Sequence, residues 1–249
     1  MKIAVITALP AELWAVRAAL GQPRREWRVG RAAWRSSVDG HEVLAVEAGM
    51  GFDNAARTAD DVIRAESPEL IISAGFCGGL TTDLLVGDVV VATRLFITVG
   101  DEQLDEQPTR IAETCIRFVA GSTPHDRLFG GCYVSTPHMV PKQRLAGLLP
   151  CDMKDPAVVE MESAAIARIA AGNDISFAAI RTVSDPLNEE LGFSLDEFCD
   201  DAMNIRINRV LKTCFNKPRI IPQLYRLSCN SRIAAASLSR AFERFLSVM

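Results

Sequence analysis

Two glutamates, Glu160 and Glu162, flank Met161 in the run VVEMESAAIARIAAG, residues 158–172, where a β-branched stretch gives way to an alanine-rich one. Burying a carboxylate is costly unless it is paired. A pair of acids at such a junction is therefore either a solvated helix start favoured by the macrodipole or a site that needs negative charge. A second stretch, AIRTVSDP at residues 179–186, puts Arg181 inside an apolar strand and delivers Ser184 and Asp185 at its end. Ligands of α/β sheets sit beyond the carboxyl ends of the strands, although Asp185-Pro186 also reads as a plain turn. A buried guanidinium needs a carboxylate, an anion or a water. Glu12, near the end of the first strand, and Glu162 are the candidate partners.

Two glycine clusters add possible backbone donors. GMGFDNAA, residues 49–56, falls between a strand and a helix. It is a near-miss to the dinucleotide fingerprint, with Asn54 where the third small residue belongs, so an oxidoreductase reading is weak. SAGFCGGL, residues 73–80, reads either as a tight turn needing positive φ or as amides facing the oxygens of a ligand.

The elements that must position these residues alternate. Strands are expected at Lys2–Leu9, Ala32–Val38, His41–Glu47, Glu69–Ser73, Val86–Ile97, Leu128–Ser135, Val158–Met161 and Ser176–Val183. Helices are expected at Pro10–Leu20, Asn54–Arg64, Pro108–Val119, Pro141–Leu149, Ser163–Ala171, Leu195–Phe215 and Ser231–Ser247. Asp39-Gly40 signals a hairpin. Continuous apolar strands between helices predict an α/β fold, a central sheet covered on both faces. With 249 residues and 49% apolar content, a substantial core is available.

Seven scattered cysteines without a CxxC pair, and three histidines, predict reduced thiols, a cytoplasmic home and no metal or other cofactor. No apolar run reaches the length of a membrane span. The net charge of −4 argues against nucleic-acid binding. That charge is uneven: residues 217–249 hold six basic residues and one acid, leaving −9 on residues 1–216. The expected division is a main domain over 1–216 and a basic amphipathic helical extension over 217–249. Such a helix docks on its own domain, contacts a membrane surface or meets a partner.

Four blocks together resemble the nucleoside phosphorylase/nucleosidase superfamily, most closely its methylthioadenosine/adenosylhomocysteine nucleosidases. They are MKIAVITALPAE; GMGFDNAA with SAGFCGGL and VGDVVV; VEMESAAIA; and AIRTVSDPLNEELGFSLDEF, spanning roughly residues 1–215 in order. The resemblance implies a three-layer α/β/α sandwich with a central mixed sheet, an oligomer, and an enzyme that cleaves the N-glycosidic bond of purine nucleosides. It implies that Asp185 is the general acid, that Glu162 grips the ribose with Met161 beneath the sugar, and that Glu12 and Arg181 hold the attacking water. Met139 and Val140 would pack the base, and Leu195 would line the 5′ side. Met50, Gly75, Phe76 and Ser184 would complete the substrate site, with Glu160 structural or solvated.

Two departures bear on the reaction. Phe76 stands where those nucleosidases carry a serine, and Leu70, Ile71 and Ile72 stand where phosphorolytic relatives place an arginine. The second departure, with Glu12 retained, favours water over phosphate, because a carboxylate repels phosphate. A phosphate-using phosphorylase and an inactive nucleoside-binding protein remain as alternatives. The tail segment IPQLYRLSCNSRIAAASL, residues 221–238, also resembles the extension of the hopanoid-associated members. Those members are expected to release adenine from adenosylhopane, which would suit peripheral membrane contact. Futalosine-type hydrolysis is a further option within the same chemistry.

Overall fold

The computed structural model describes residues 1–100, 102–150, 153–189, 198 and 207–249. Ten strands are hydrogen-bonded into one mixed sheet. β1 (Lys2–Thr7) lies parallel between β4 (His41–Glu47) and β5 (Leu70–Gly79), and β4 continues antiparallel into β3 (Arg31–Val38) and β2 (Arg24–Arg28). The predicted Asp39-Gly40 hairpin is present, with Val38 opposite His41 and both turn residues at positive φ. β2 has no counterpart in the sequence reading: its residues, RREWR, carry no apolar alternation.

On the other side the sheet closes on itself. β5 pairs with β10 (Ser176–Asp185), β10 with β6 (Val89–Val99), β6 with β8 (Leu128–Ser135), β8 with β9 (Ala157–Glu160), and β9 returns to β5. Bulges between Val183 and Asp185 and between Ala92 and Arg94 supply the bend that such closure needs. β7 (Gln103–Glu106) hangs on β6. The segment SAGFCGGL is therefore strand, and none of Gly75, Gly78 and Gly79 has a positive φ. The tight-turn reading of that cluster is overturned; its glycines serve close approach instead.

Helices cover both faces. α2 (Phe52–Glu66) and α5 (Ser163–Gly172) lie on one, packing Ala55, Ala59 and Val62 with Ala164, Ala167 and Ala170 against the strands. α1 (Pro10–Ala18), α3 (Glu113–Ala120) and the C-terminal half of α7 (Ile221–Ser247) lie on the other, burying Leu13, Val16, Phe118, Leu238, Phe242 and Phe245. The result is three layers, α/β/α, as expected.

α3 begins later than expected because Ile111 first pairs beside Phe177 of β10, and the Ala112 amide donates to the Phe177 carbonyl at 2.7 Å. α7 begins ten residues earlier than expected. Pro222 sits in its first turn, where a proline costs no hydrogen bond, so it marks a helix start. Ile233, an apolar residue of the tail, is half exposed. α4 (Lys142–Leu148) and α6 (Ile207–Asn216) complete the set, and most of the helix expected over Leu195–Phe215 lies outside the described residues.

Phe118 and Phe245 meet edge to face with ring centroids 5.3 Å apart, fixing α7 to α3. Phe242→Ala removes a fully buried ring from this face. It is expected to cost about 3–5 kcal/mol of unfolding free energy in a urea titration.

Candidate active site

The site grows from Arg181 on β10, whose guanidinium is 2% exposed. Its Nη2 donates to Glu160 Oε2 at 2.7 Å, to Glu162 Oε2 at 3.1 Å and to the Ser73 hydroxyl at 3.1 Å. Its Nη1 donates to the Phe76 carbonyl at 3.1 Å and stands 4.0 Å from Glu12 Oε1. Burial works against the arginine's charge, yet Glu160, Glu162 and Glu12 together raise its pKa. The tightest partner is thus Glu160, which sequence reasoning had set aside in favour of Glu12 and Glu162.

Glu160 is buried and saturated. Its Oε2 also accepts from the amides of Glu162 and Ser163 at 3.0 and 2.7 Å, and the Ser135 hydroxyl donates to its Oε1. Of the two expectations for it, structural and solvated, only the first survives. Ser135 also accepts from the Ala164 amide, so one hydroxyl joins β8, β9 and α5.

Glu12 sits at the third position of α1, after Pro10, and reaches back to the amides of Ala8 and Leu9 at 2.8 and 2.9 Å. That is the contact an acid makes in a capping box. Its other oxygen accepts from the Phe76 amide at 2.7 Å. Burial raises its pKa, opposed by Arg181 and by the amides of Phe76, Leu9 and Ala8. Gly75 makes this approach possible: a Cβ there would stand 2.5 Å from Glu12 Oε1 and 2.7 Å from Arg181 Nη1.

Glu162 Oε1 accepts from the Gly51 amide at 3.0 Å, at the start of α2. Gly49 and Gly51 both have positive φ, which aims that amide inward. The anion at this helix N-terminus is the protein's own carboxylate, and the dinucleotide reading of GMGFDNAA falls for that reason. Burial above all, with the charges of Glu160 and Glu12, raises the Glu162 pKa to about 7 against the pull of Arg181.

Asp185 closes the far wall. The Ser184 hydroxyl donates to its Oδ1 at 2.6 Å and Lys142 Nζ donates to its Oδ2 at 2.8 Å. Burial raises its pKa, opposed by Lys142 and Ser184. Lys142 was not anticipated. It opens a short helix in which it passes for a solvated residue, and only the proximity of β10 reveals its role.

Glu12, Glu162, Arg181, Ser184 and Asp185 line one cavity of about 390 Å³. Met50, Phe76, Met139, Val140 and Met161 supply its apolar wall, joined by Thr136, Lys142 and Glu160. Gly75 lies behind the wall, under Glu12 and Arg181. Leu195 falls outside the described residues. Among the described residues no cluster of His, Cys, Asp and Glu has the arrangement of a metal site.

Three layers and a carboxylate-lined cavity at one end of the strands define the class: an α/β protein with buried acids around a cavity of small-molecule size. The chain belongs to the phosphorylase superfamily, whose family model matches residues 2–216. It is 29% identical over 235 residues to a 5′-methylthioadenosine/S-adenosylhomocysteine nucleosidase of Bacillus thuringiensis, covering 85% of this chain and 97% of that one. Its fold is similar to that of the corresponding nucleosidase of Colwellia psychrerythraea, solved with adenine, with TM-score 0.73 and 18% identity over 100% of this chain and 95% of that one. A futalosine hydrolase of Helicobacter pylori gives the same TM-score at 16% identity, over 100% and 98% of the two chains.

Glu160→Gln removes the tightest partner of a buried cation and is expected to cost on the order of 3 kcal/mol. Glu162 behaves differently. Its folded-state pKa is raised, so its contribution is fully present below about pH 4.5 and lost as the pH rises through about 7. Glu162→Gln is expected to flatten the stability–pH curve over that window, measured by urea unfolding at a series of pH values.

Proposed function

We propose that this protein hydrolyses the N-glycosidic bond of a purine nucleoside, with a 5′-substituted adenosine as substrate. The observation that carries the reading is the convergence of Glu12, Glu162 and Arg181 on one cavity whose opposite wall is Asp185. Departure of a purine leaves an oxocarbenium-like sugar, and fixed buried carboxylates stabilise that developing positive charge without reorganising. In this mechanism Glu162 receives the ribose hydroxyls above Met161, with Met50 and Phe76 beside them. Met139 and Val140 pack the base. Asp185, steadied by Ser184, is the group that passes a proton to the leaving purine, a contribution of typically ~10²–10⁴-fold. Glu12 takes the proton from the attacking water while Arg181 holds its oxygen, and carboxylates on either side of the scissile bond divide the labour as they do in sugar hydrolysis.

Water rather than phosphate is the nucleophile in this reading. The cations lining the cavity, Arg181 and Lys142, are both engaged by carboxylates, and the acids around Arg181 outnumber it, which disfavours an incoming anion. The similarity to the Bacillus nucleosidase supports the same choice.

The 5′ group is apolar in this proposal, facing Phe76 and Met139, with Leu195 expected on the same side. A lipid-linked adenosine, such as the adenosylhopane expected of hopanoid-associated relatives, is favoured by one observation. Phe215 is 88%, Ile221 49% and Tyr225 74% exposed, and along the sequence they are interspersed with Lys217 and Arg219. That grouping suits an anionic membrane surface. Because the C-terminal half of α7 is core, point variants test this better than truncation. Ile221→Ser with Tyr225→Ser is expected to abolish co-sedimentation with anionic liposomes and leave turnover of methylthioadenosine intact. Unchanged sedimentation, or none in the wild type, removes the membrane reading.

The central test offers methylthioadenosine, adenosylhomocysteine, inosine and a long-chain 5′-alkyl adenosine, each with and without phosphate, and resolves the products by chromatography. Free base and ribose without phosphate are expected. Release that requires phosphate makes the protein a phosphorylase. Asp185→Asn is expected to lower kcat by about 10²–10⁴-fold with binding retained; a protein that binds nucleosides and releases nothing is a binding protein only.

A further inference from the structure

The ion pair that Lys142 makes with Asp185 has no evident structural need. The lysine side chain is 7% exposed and the aspartate 15%. A buried pair of this kind contributes little net stability compared with apolar residues of the same size. Lys142 Nζ spends its three protons close by: on Asp185 Oδ2 at 2.8 Å, on the Pro186 carbonyl at 2.6 Å and, more loosely, on the Asp185 carbonyl at 3.4 Å. Space is kept for the pair by Gly78, where a Cβ would stand 3.0 Å from Asp185 Oδ2 and 3.2 Å from Lys142 Cδ. The pair also presents a chemical difficulty. A carboxylate held against an ammonium has no proton of its own to give, yet the reaction proposed above requires one at this wall.

We propose that Lys142 is the proton source for the reaction: its ammonium, acting through Asp185, supplies the proton that the leaving purine takes. The inference rests on the nucleosidase reading. An ammonium–carboxylate pair and an amine–carboxylic acid pair differ only in the place of one proton. Water favours the charged form and desolvation favours the neutral one. A ligand filling the cavity displaces the water over Asp185, and the proton moves from Lys142 Nζ to the carboxyl beside the base. As the C1′–N bond breaks, its electron pair goes to the purine, whose ring nitrogen takes the proton from Asp185. The water oxygen bonds to C1′ and gives its proton to Glu12. Lys142 regains a proton from solvent and Glu12 loses one to solvent, leaving nucleoside and water converted to base and ribose. Lys142 is a positioning and proton-relay residue here, acting through Asp185.

Two further titratable groups act on Asp185 directly, Cys77 on β5 and Glu189 beyond β10, while Glu12, Glu160 and Glu162 line the opposite wall of the same cavity. Burial holds the Cys77 thiol well above its usual range, so it stays protonated. Glu189 is engaged by Arg226 and Asn230 of α7. Neither competes as the donor.

The deciding measurement is the direction in which the alkaline limb of the pH–rate profile moves. The full-length protein and its K142M variant are assayed on methylthioadenosine from pH 5 to 10. If Lys142 supplies the proton, K142M must rely on protonation of Asp185 itself, and a carboxyl loses its proton at lower pH than an ammonium. The limb then moves at least one unit towards acid, and kcat falls at least tenfold while KM holds. If Lys142 merely restrains Asp185, its removal raises the acid's pKa, and the limb stays or moves towards alkali; either result overturns the inference. Should K142M fail to fold, K142R decides in its place. An arginine keeps the charge but does not release its proton, so the same acid-ward shift is expected, and a wild-type profile overturns the inference. Failure of the wild type to release base from any substrate would instead sink the nucleosidase reading beneath it.

Discussion

A single buried cation organises this protein. Arg181 sits in the middle of β10, and the strands and helices around it are arranged so that three carboxylates meet one guanidinium. An arginine left unpaired at that depth would cost several kcal/mol, so β5, β9, α1 and the start of α5 each have to deliver their polar group correctly. Glu160 and Ser73 discharge most of that obligation. Because they do, Glu162 and Glu12 can hold their second contacts on backbone amides and still face the cavity.

The surplus of acid over base is the other half of the arrangement. Three carboxylates lie close together around one guanidinium, and burial above all, with the charges of Glu160 and Glu12, raises the Glu162 pKa to about 7. Backbone amides do what additional cations would otherwise have to do: those of Ala8, Leu9, Phe76 and Gly51 support Glu12 and Glu162 without adding charge. That side of the pocket therefore holds more acid than base. On the opposite wall Lys142 balances Asp185, so the excess negative charge is confined to one side.

Much of this was legible in the sequence, for identifiable reasons. Apolar strands and alternating helices announced the layers, Asp39-Gly40 the hairpin, and Arg181 within AIRTVSD the need for buried acids. The glycine run at 73–80 misled, because glycines required by close approach look the same in sequence as glycines required by a turn; only the 2.5 Å gap above Gly75 distinguishes them. β2 was invisible because an edge strand can be nearly all charge. Glu160 was undervalued and Lys142 missed because nothing local records which strand lies across from a side chain. The closure of the sheet brings residues 142 and 185 together, and that closure depends on bulges that no periodicity reports.

The closed circuit of five strands has a consequence for how copies of this chain can meet. A strand that already has neighbours on both sides cannot recruit another, so the circuit offers no place for a sheet to grow. Among the described residues the free borders are β7, four residues with two acids, and β2, which presents Arg24, Arg25 and Arg28 in five residues. Short, charged borders of this kind discourage strand addition. Fibre-like growth by extension of the sheet is thereby disfavoured.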